Sequence, residues 1–303
     1  MQKSVKFKNR DWEVAADLYL PEGFNEKQKY SAIVCVHPGS SVKEQTAGYY
    51  AKKISEEGFV TIAFDASFQG ESGGEPRYLE DPATRVEDIK CAVDYLTTLD
   101  FIDENKIGVL GICAGGGYAA NVALTEKRIK AVGTVSASNF SCAFAESGDP
   151  LKMLEEVGKQ RTAEARGAEP LITNWTPNSR EEAIQSGITA SDMLEAIDYY
   201  RTPRGFHERS NNKILFKSMG STIVFDAFNL ADYLLTQPLL IIVGDRVGEF
   251  GSYRDGFTLF NKAASKDKNI YVVKGAGHYD LYDQPEATSE ALGQLIPFFE
   301  KHL

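Results

Sequence analysis

The chain has 303 residues, 43% of them hydrophobic, with 33 Lys plus Arg against 43 Asp plus Glu and a formal net charge of -10. That length can bury a full α/β core. The acidic balance, with no basic stripe, argues against a nucleic-acid or anionic-membrane surface, since both need clustered Lys and Arg.

The N-terminus, Met1-Gln2-Lys3-Ser4-Val5-Lys6-Phe7, carries no apolar leader core, and no apolar run approaches the roughly 18 residues of a membrane span. A soluble cytoplasmic protein is therefore expected. The four cysteines, Cys35, Cys91, Cys113 and Cys142, are scattered without close spacing. They read as free thiols, and no Cys-x-x-Cys zinc pattern exists.

Alternation in Val5-Lys6-Phe7-Lys8 and in Trp12 to Leu20 predicts two antiparallel strands, closed by the Pro21-Glu22-Gly23 turn. The later strands are continuously apolar: Ser31 to Val36, Phe59 to Phe64, Ile107 to Leu110, Ala131 to Val135, Leu239 to Val243 and Ile270 to Val273. Such runs read as buried on both faces of a parallel sheet. Helical segments are expected at about 45–57, 84–99, 114–126, 252–265 and 284–302. The alternation implies right-handed crossovers and a doubly wound α/β sheet.

It breaks between Ser138 and Pro238. About a hundred residues without a core strand, apart from the short run Thr222-Ile223-Val224-Phe225, is too much for a loop. The expected organisation is a core of residues 1–138 and 238–303 with a helical insertion, or lid, at 139–237. Tyr199, Tyr200, Phe225 and Phe228 in that insertion either line a substrate cavity or pack the lid onto the sheet.

In Gly111-Ile112-Cys113-Ala114-Gly115 the run Lys106 to Leu110 turns abruptly into the helix-like run Gly116 to Leu124. This is the pattern of a nucleophile elbow, with cysteine where serine is commoner. A strand that turns into a helix this sharply crowds the middle residue, so its neighbours two positions away must lack bulk. The nucleophile then stands over a helix N-terminus, where unpaired amides favour a thiolate.

A thiolate mechanism also needs a base, a group to orient it and amide donors for the oxyanion. His278, in Gly275-Ala276-Gly277-His278, directly follows the last apolar strand, where a short loop can carry an imidazole to the sheet's C-terminal edge. The orienting acid is open: Asp245, at the end of strand Leu239 to Val243, is first, Glu249 second and Asp280 third. Asp245 could equally be a turn residue or a partner of Arg246. His37-Pro38-Gly39-Ser40-Ser41 follows the first long buried strand, so the oxyanion amides are assigned to Ala114 and to Gly39 or Ser40. His37 is read as supporting that loop. The glycine-rich loop Asp65 to Tyr78 lacks the Gly-Lys-Ser/Thr ending of a phosphate loop.

Together these residues resemble the α/β-hydrolase superfamily over essentially the whole chain, and within it the dienelactone-hydrolase-like enzymes that use Cys-His-Asp. His37-Pro38-Gly39 with Val42-Lys43-Glu44-Gln45, Phe64-Asp65, Gly70-Glu71-Ser72-Gly73-Gly74, the elbow and Gly277-His278-Tyr279-Asp280-Leu281-Tyr282-Asp283 resemble its YcjY-like or polyketide-transferase-like branch. The resemblance implies Cys113 as nucleophile, His278 as base and Asp245 as acid. Two positions depart from the wider pattern. Where the acid strand often ends Gly-x-x-Asp, the last residue here is Val247, and His37-Pro38-Gly39-Ser40 replaces a His-Gly-Gly oxyanion loop.

The expected activity is acyl transfer from an ester, thioester or lactone, without cofactor or metal, on a small-molecule substrate. Two alternatives stand beside it. Class I glutamine amidotransferases share Gly-x-Cys-x-Gly, with His278-Tyr279-Asp280 echoing their His-x-Glu, and a decayed hydrolase fold can serve as a receptor. Pairing of two copies through the insertion is a further expectation.

Overall fold

The computed structural model describes residues 1–303, all but Ser147 with their side chains. In chain order the elements are β1 (Gln2–Asn9), β2 (Trp12–Tyr19), β3 (Tyr30–Val36), α1 (Thr46–Ser55), β4 (Val60–Phe64), α2 (Pro82–Thr97), β5 (Ile102–Ile112), α3 (Ala114–Thr125) and β6 (Ile129–Val135). There follow α4 (Phe140–Ser147), α5 (Pro150–Ala165), β7 (Ile172–Asn174), α6 (Arg180–Gln185), α7 (Ser191–Arg201), β8 (Lys213–Leu215), α8 (Met219–Thr222) and α9 (Ala231–Leu234). The chain closes with β9 (Leu239–Gly244), α10 (Ser252–Lys262), β10 (Lys268–Val273), α11 (Asp280–Asp283) and α12 (Pro285–His302).

Eight strands form one sheet in the order β1-β2-β4-β3-β5-β6-β9-β10. β1 and β2 are antiparallel to each other and β2 to β4, whereas every pairing from β4 to β10 is parallel. Every residue of β4 and β9 is buried, as is β3 from Ala32 onward, the signature of strands covered on both faces. Helices α1 and α12 pack together, and Phe299 and Leu303 at the end of the chain lie against β5 at Gly108. Helices α2 and α3 pack against each other, and α9 links α3 to α10. Proline opens both α2 and α12, where its missing N–H costs no helical bond. The fold is that of an α/β-hydrolase, as the sequence resemblance implies.

Three local expectations are corrected. The β1–β2 hairpin turns at Arg10-Asp11, with Asn9 opposite Trp12 and Arg10 at a φ of 52°; Pro21-Glu22-Gly23 lies beyond it. Val272 and Tyr271 in β10 are only half-buried, because β10 is the sheet's edge strand. The run at Thr222 to Phe225 is no strand: α8 runs up to Thr222 and Val224 is exposed. Among the described residues between β6 and β9 the strands are β7 and β8, which form a separate two-stranded sheet.

Candidate active site

Cys113 sits between β5 and α3 with φ 54° and ψ -124°, a conformation L-residues adopt only under constraint from their surroundings. That constraint is visible on either side. A Cβ on Gly111 would stand 2.1 Å from the Gly115 carbonyl oxygen, and one on Gly115 would stand 2.2 Å from that of Val36. The turn is further fixed by bonds from Cys113 N to Val135 O (3.0 Å) and from Ser138 N to Cys113 O (3.0 Å). The end of β6 and the turn that follows it, which supply these two partners, thus lock the elbow.

His278 reaches the same place from the loop after β10. Its Nε2 lies 3.1 Å from the Tyr282 hydroxyl, and Phe250, Tyr279 and Tyr282 surround the ring at centroid distances of 5.7, 5.0 and 5.4 Å. Burial alone would push the Cys113 thiol up. The charge and hydrogen bond of His278, the Tyr282 hydroxyl and the Ala114 amide outweigh that, so the thiol lies below its ordinary value. Cys35 and Cys91 are shifted the opposite way by burial, Cys91 to about 11. All four cysteines are free.

The carboxylates named from sequence are engaged elsewhere. Asp245 accepts the Gly275 amide at 2.6 Å from an exposed position and makes no hydrogen bond to His278. Glu249 accepts Ser191 Oγ and the Asp192 amide, and Asp280 accepts the Gly277 amide at 2.8 Å while pairing with Arg246. His278 Nδ1, where an orienting acid would bind, is buried without a partner. The loop after β9 explains the displacement: with Val247 at the usual acid position, the chain passes on to Gly248, and the buried Asp192 of α7 fills the space beside it. A Cβ on Gly248 would stand 2.0 Å from Asp192 Oδ1, and Asp192 itself accepts the Phe250 amide at 2.7 Å.

On the opposite side, His37 is fully buried and held neutral, first by burial and then by the Arg85 charge. Its Nε2 accepts from the Ala66 amide and from Arg85, each at 3.0 Å, and Arg85 also donates to the His37 carbonyl at 2.7 Å. His37 therefore anchors the loop. Gly39 and Ser40 sit under the β6–β9 segment: the Trp175 ring lies 3.3 Å from where a Gly39 Cβ would stand, and Ser210 Oγ bonds the Ser40 carbonyl at 2.7 Å.

The aromatic residues singled out in the insertion divide between two neighbourhoods. Tyr199 and Tyr200 pack against Tyr279 and Tyr282, whereas Phe225 packs on Tyr118 of α3. A cavity of about 510 Å³ opens elsewhere, between Leu79, Val157, Arg161 and Lys217, and includes none of these residues. Tyr282 enters the Gly277-to-Asp283 motif without a role; it lies in α11, directly after the His278 loop, and its hydroxyl returns to the imidazole. Among the described residues no cluster of His, Cys, Asp or Glu could hold a metal ion.

An elbow at the C-terminal edge of such a sheet, with a histidine delivered after its last strand, defines an enzyme of the α/β-hydrolase type, a hydrolase or acyltransferase. Residues 28–285 match the Hydrolase_4 family, described as serine aminopeptidase, S33, and the chain belongs to it. It is 42% identical to the uncharacterized protein YcjY of Escherichia coli K12, over the whole of both chains. It is 34% identical to the uncharacterized protein PA2218 of Pseudomonas aeruginosa, over 99% of this chain and 81% of the other. The crystal structure of PA2218 superposes with a TM-score of 0.89 over 100% of this chain and 94% of that one. The polyketide transferase GrgF of a Penicillium species is 23% identical over 92% of this chain and 91% of its own, and its crystal structure shares the fold at a TM-score of 0.82. Among the described residues no helix is long and apolar enough to cross a membrane.

Proposed function

We propose that the protein cleaves or transfers the acyl group of an ester, thioester or lactone through a covalent thioester on Cys113, with His278 moving the proton. The observation that carries this reading is the Cys113 thiol itself: buried, yet held below its ordinary value by His278 on a strained strand-to-helix turn. The thiolate attacks the carbonyl carbon, and the oxygen's new charge meets the Ala114 amide and an amide of the Gly39-Ser40 loop. The tetrahedral adduct collapses, the leaving group takes the proton from His278, and water or a second nucleophile releases the acyl group. Thiolate is expelled more readily than an amine from such an adduct, which favours activated acyl substrates over amides. The relative named polyketide transferase supports transfer as well as hydrolysis. No carboxylate is bonded to His278, so the pair acts as a dyad.

Hydrolysis of p-nitrophenyl acetate by the wild type, Cys113→Ala and His278→Ala tests this. Both substitutions are expected to lower kcat by about 10³-fold or more, with a burst of nitrophenolate only where Cys113 is present. Undiminished activity in Cys113→Ala would remove the elbow from the mechanism.

A further inference from the structure

A buried serine ordinarily donates its hydroxyl proton to a nearby carbonyl. Ser55, Ser72 and Ser265 do so, on Lys52 O, Asp65 O and Asp267 O at 2.7, 2.6 and 3.0 Å. Ser138, buried in the turn after β6, does something else. Its Oγ accepts from the Cys113 thiol at 3.9 Å, within the reach of a sulfur hydrogen bond, and has no second partner among the described residues. The serine proton is therefore uncommitted, beside the reacting sulfur.

The backbone fixes that meeting. The Ser138 amide donates to the Cys113 carbonyl at 3.0 Å, and the Asn139 amide donates to Asp255 Oδ2 at 2.7 Å. Helix α3 lies so close that a Cβ on Gly117 would stand 2.7 Å from the Ser138 carbonyl oxygen. The hydroxyl is thus held against the sulfur by the turn that locks the elbow.

We propose that Ser138 is a catalytic residue whose hydroxyl accepts from the Cys113 thiol at rest and turns to donate to the sulfur once it is ionised. The proposal rests on Cys113 being the nucleophile and His278 its base. When the S–H bond breaks, its proton goes to His278 and the sulfur keeps the electron pair. Ser138 then rotates about its Cβ–Oγ bond until its own O–H points at the thiolate, and no bond to Ser138 is made or broken. The same donor meets the sulfur again when the thioester is cleaved and thiolate departs. A sulfur anion taken out of water needs such donors. A hydroxyl, unlike a carbonyl, can change from acceptor to donor in place.

The test is the pH profile of Cys113 alkylation by iodoacetamide, read on the Cys113 peptide by mass spectrometry, in the wild type, Ser138→Ala and Ser265→Ala. The kcat/KM for p-nitrophenyl acetate is followed over the same range. Ser265→Ala removes another buried hydroxyl, the one before β10, and controls for packing. Around the thiol, Tyr200, Tyr279 and Tyr282 are held well above their ordinary values by burial, so the profile reads Cys113 together with His278.

Expected in Ser138→Ala is a midpoint raised by about one pH unit. Below both midpoints the two rates fall about threefold, because a roughly tenfold smaller thiolate fraction is partly offset by a more nucleophilic sulfur; above both midpoints they exceed the wild type by about the same factor. Ser265→Ala should match the wild type throughout. An unchanged or lowered midpoint would overturn the proposal. So would a Ser138→Ala variant that is slower at every pH, since the hydroxyl would then serve only to place the thiol, or equal shifts in both serine variants. A wild type that turns over ester but keeps its activity after alkylation would instead sink the cysteine mechanism itself, a separate result.

Discussion

Ten of the twelve residues of α3, which follows Cys113, are buried; of the sixteen residues of α5, in the segment between β6 and β9, only Val157 is. The elbow is held by backbone bonds and close apolar packing. In the segment between β6 and β9, Tyr199, Tyr200 and Phe228 join the core, and Asp192 bonds the Phe250 amide while Arg204 grips Asp283 and the Tyr279 carbonyl, whereas α5 stands away from it. A region held by packing tolerates almost no change of shape. A helix with a single buried residue, such as α5, has little packing to oppose its movement.

That contrast can be broken most severely at Gly115. Gly115→Val would drive a side chain into the Val36 carbonyl, and a loss of more than about 4 kcal/mol is expected, seen as failure to give a cooperative unfolding transition by circular dichroism. Next comes Arg204, whose guanidinium grips Asp283 at 2.7 and 2.9 Å and holds α11, the helix of Tyr282. Arg204→Ala is expected to cost about 1–3 kcal/mol in urea denaturation and to reduce kcat/KM roughly tenfold. Arg204→Lys should not restore either, since lysine cannot make the paired contact; full rescue would show that charge alone suffices. The smallest effect is expected from Asp245→Asn, under about threefold in kcat/KM, because its carboxylate bonds a loop amide and not His278. A drop of 10³-fold would restore it as the orienting acid.

The core was legible because its strands are continuous apolar runs and its helices fall regularly between them. β3, β4 and β9 need nothing beyond their own composition. The elbow was legible too, since Gly111 and Gly115 are demanded by clashes that any turn of that shape creates. What escaped were contacts that depend on which loop passes which. Asp245 and Asp192 are both acids near a strand end or helix start, and sequence does not say which of them the loop at Gly248 will admit. Val224 is apolar and β-branched, yet stands exposed beyond α8, because tertiary context outweighed local preference there.

The strand order has a consequence for how the molecule is made. Cys113 is in place once β5 and β6 pair, but His278 arrives only after β9 has docked on β6 and β10 on β9, across an excursion of about a hundred residues. Closing so long an excursion adds little equilibrium cost, since each doubling of a loop adds only about 0.6 kcal/mol, but contacts this distant in sequence form slowly. If Cys113 and His278 are the reacting pair, as proposed, regain of ester turnover is expected to lag behind regain of far-ultraviolet ellipticity on refolding; simultaneous regain would show that the distant strands dock early.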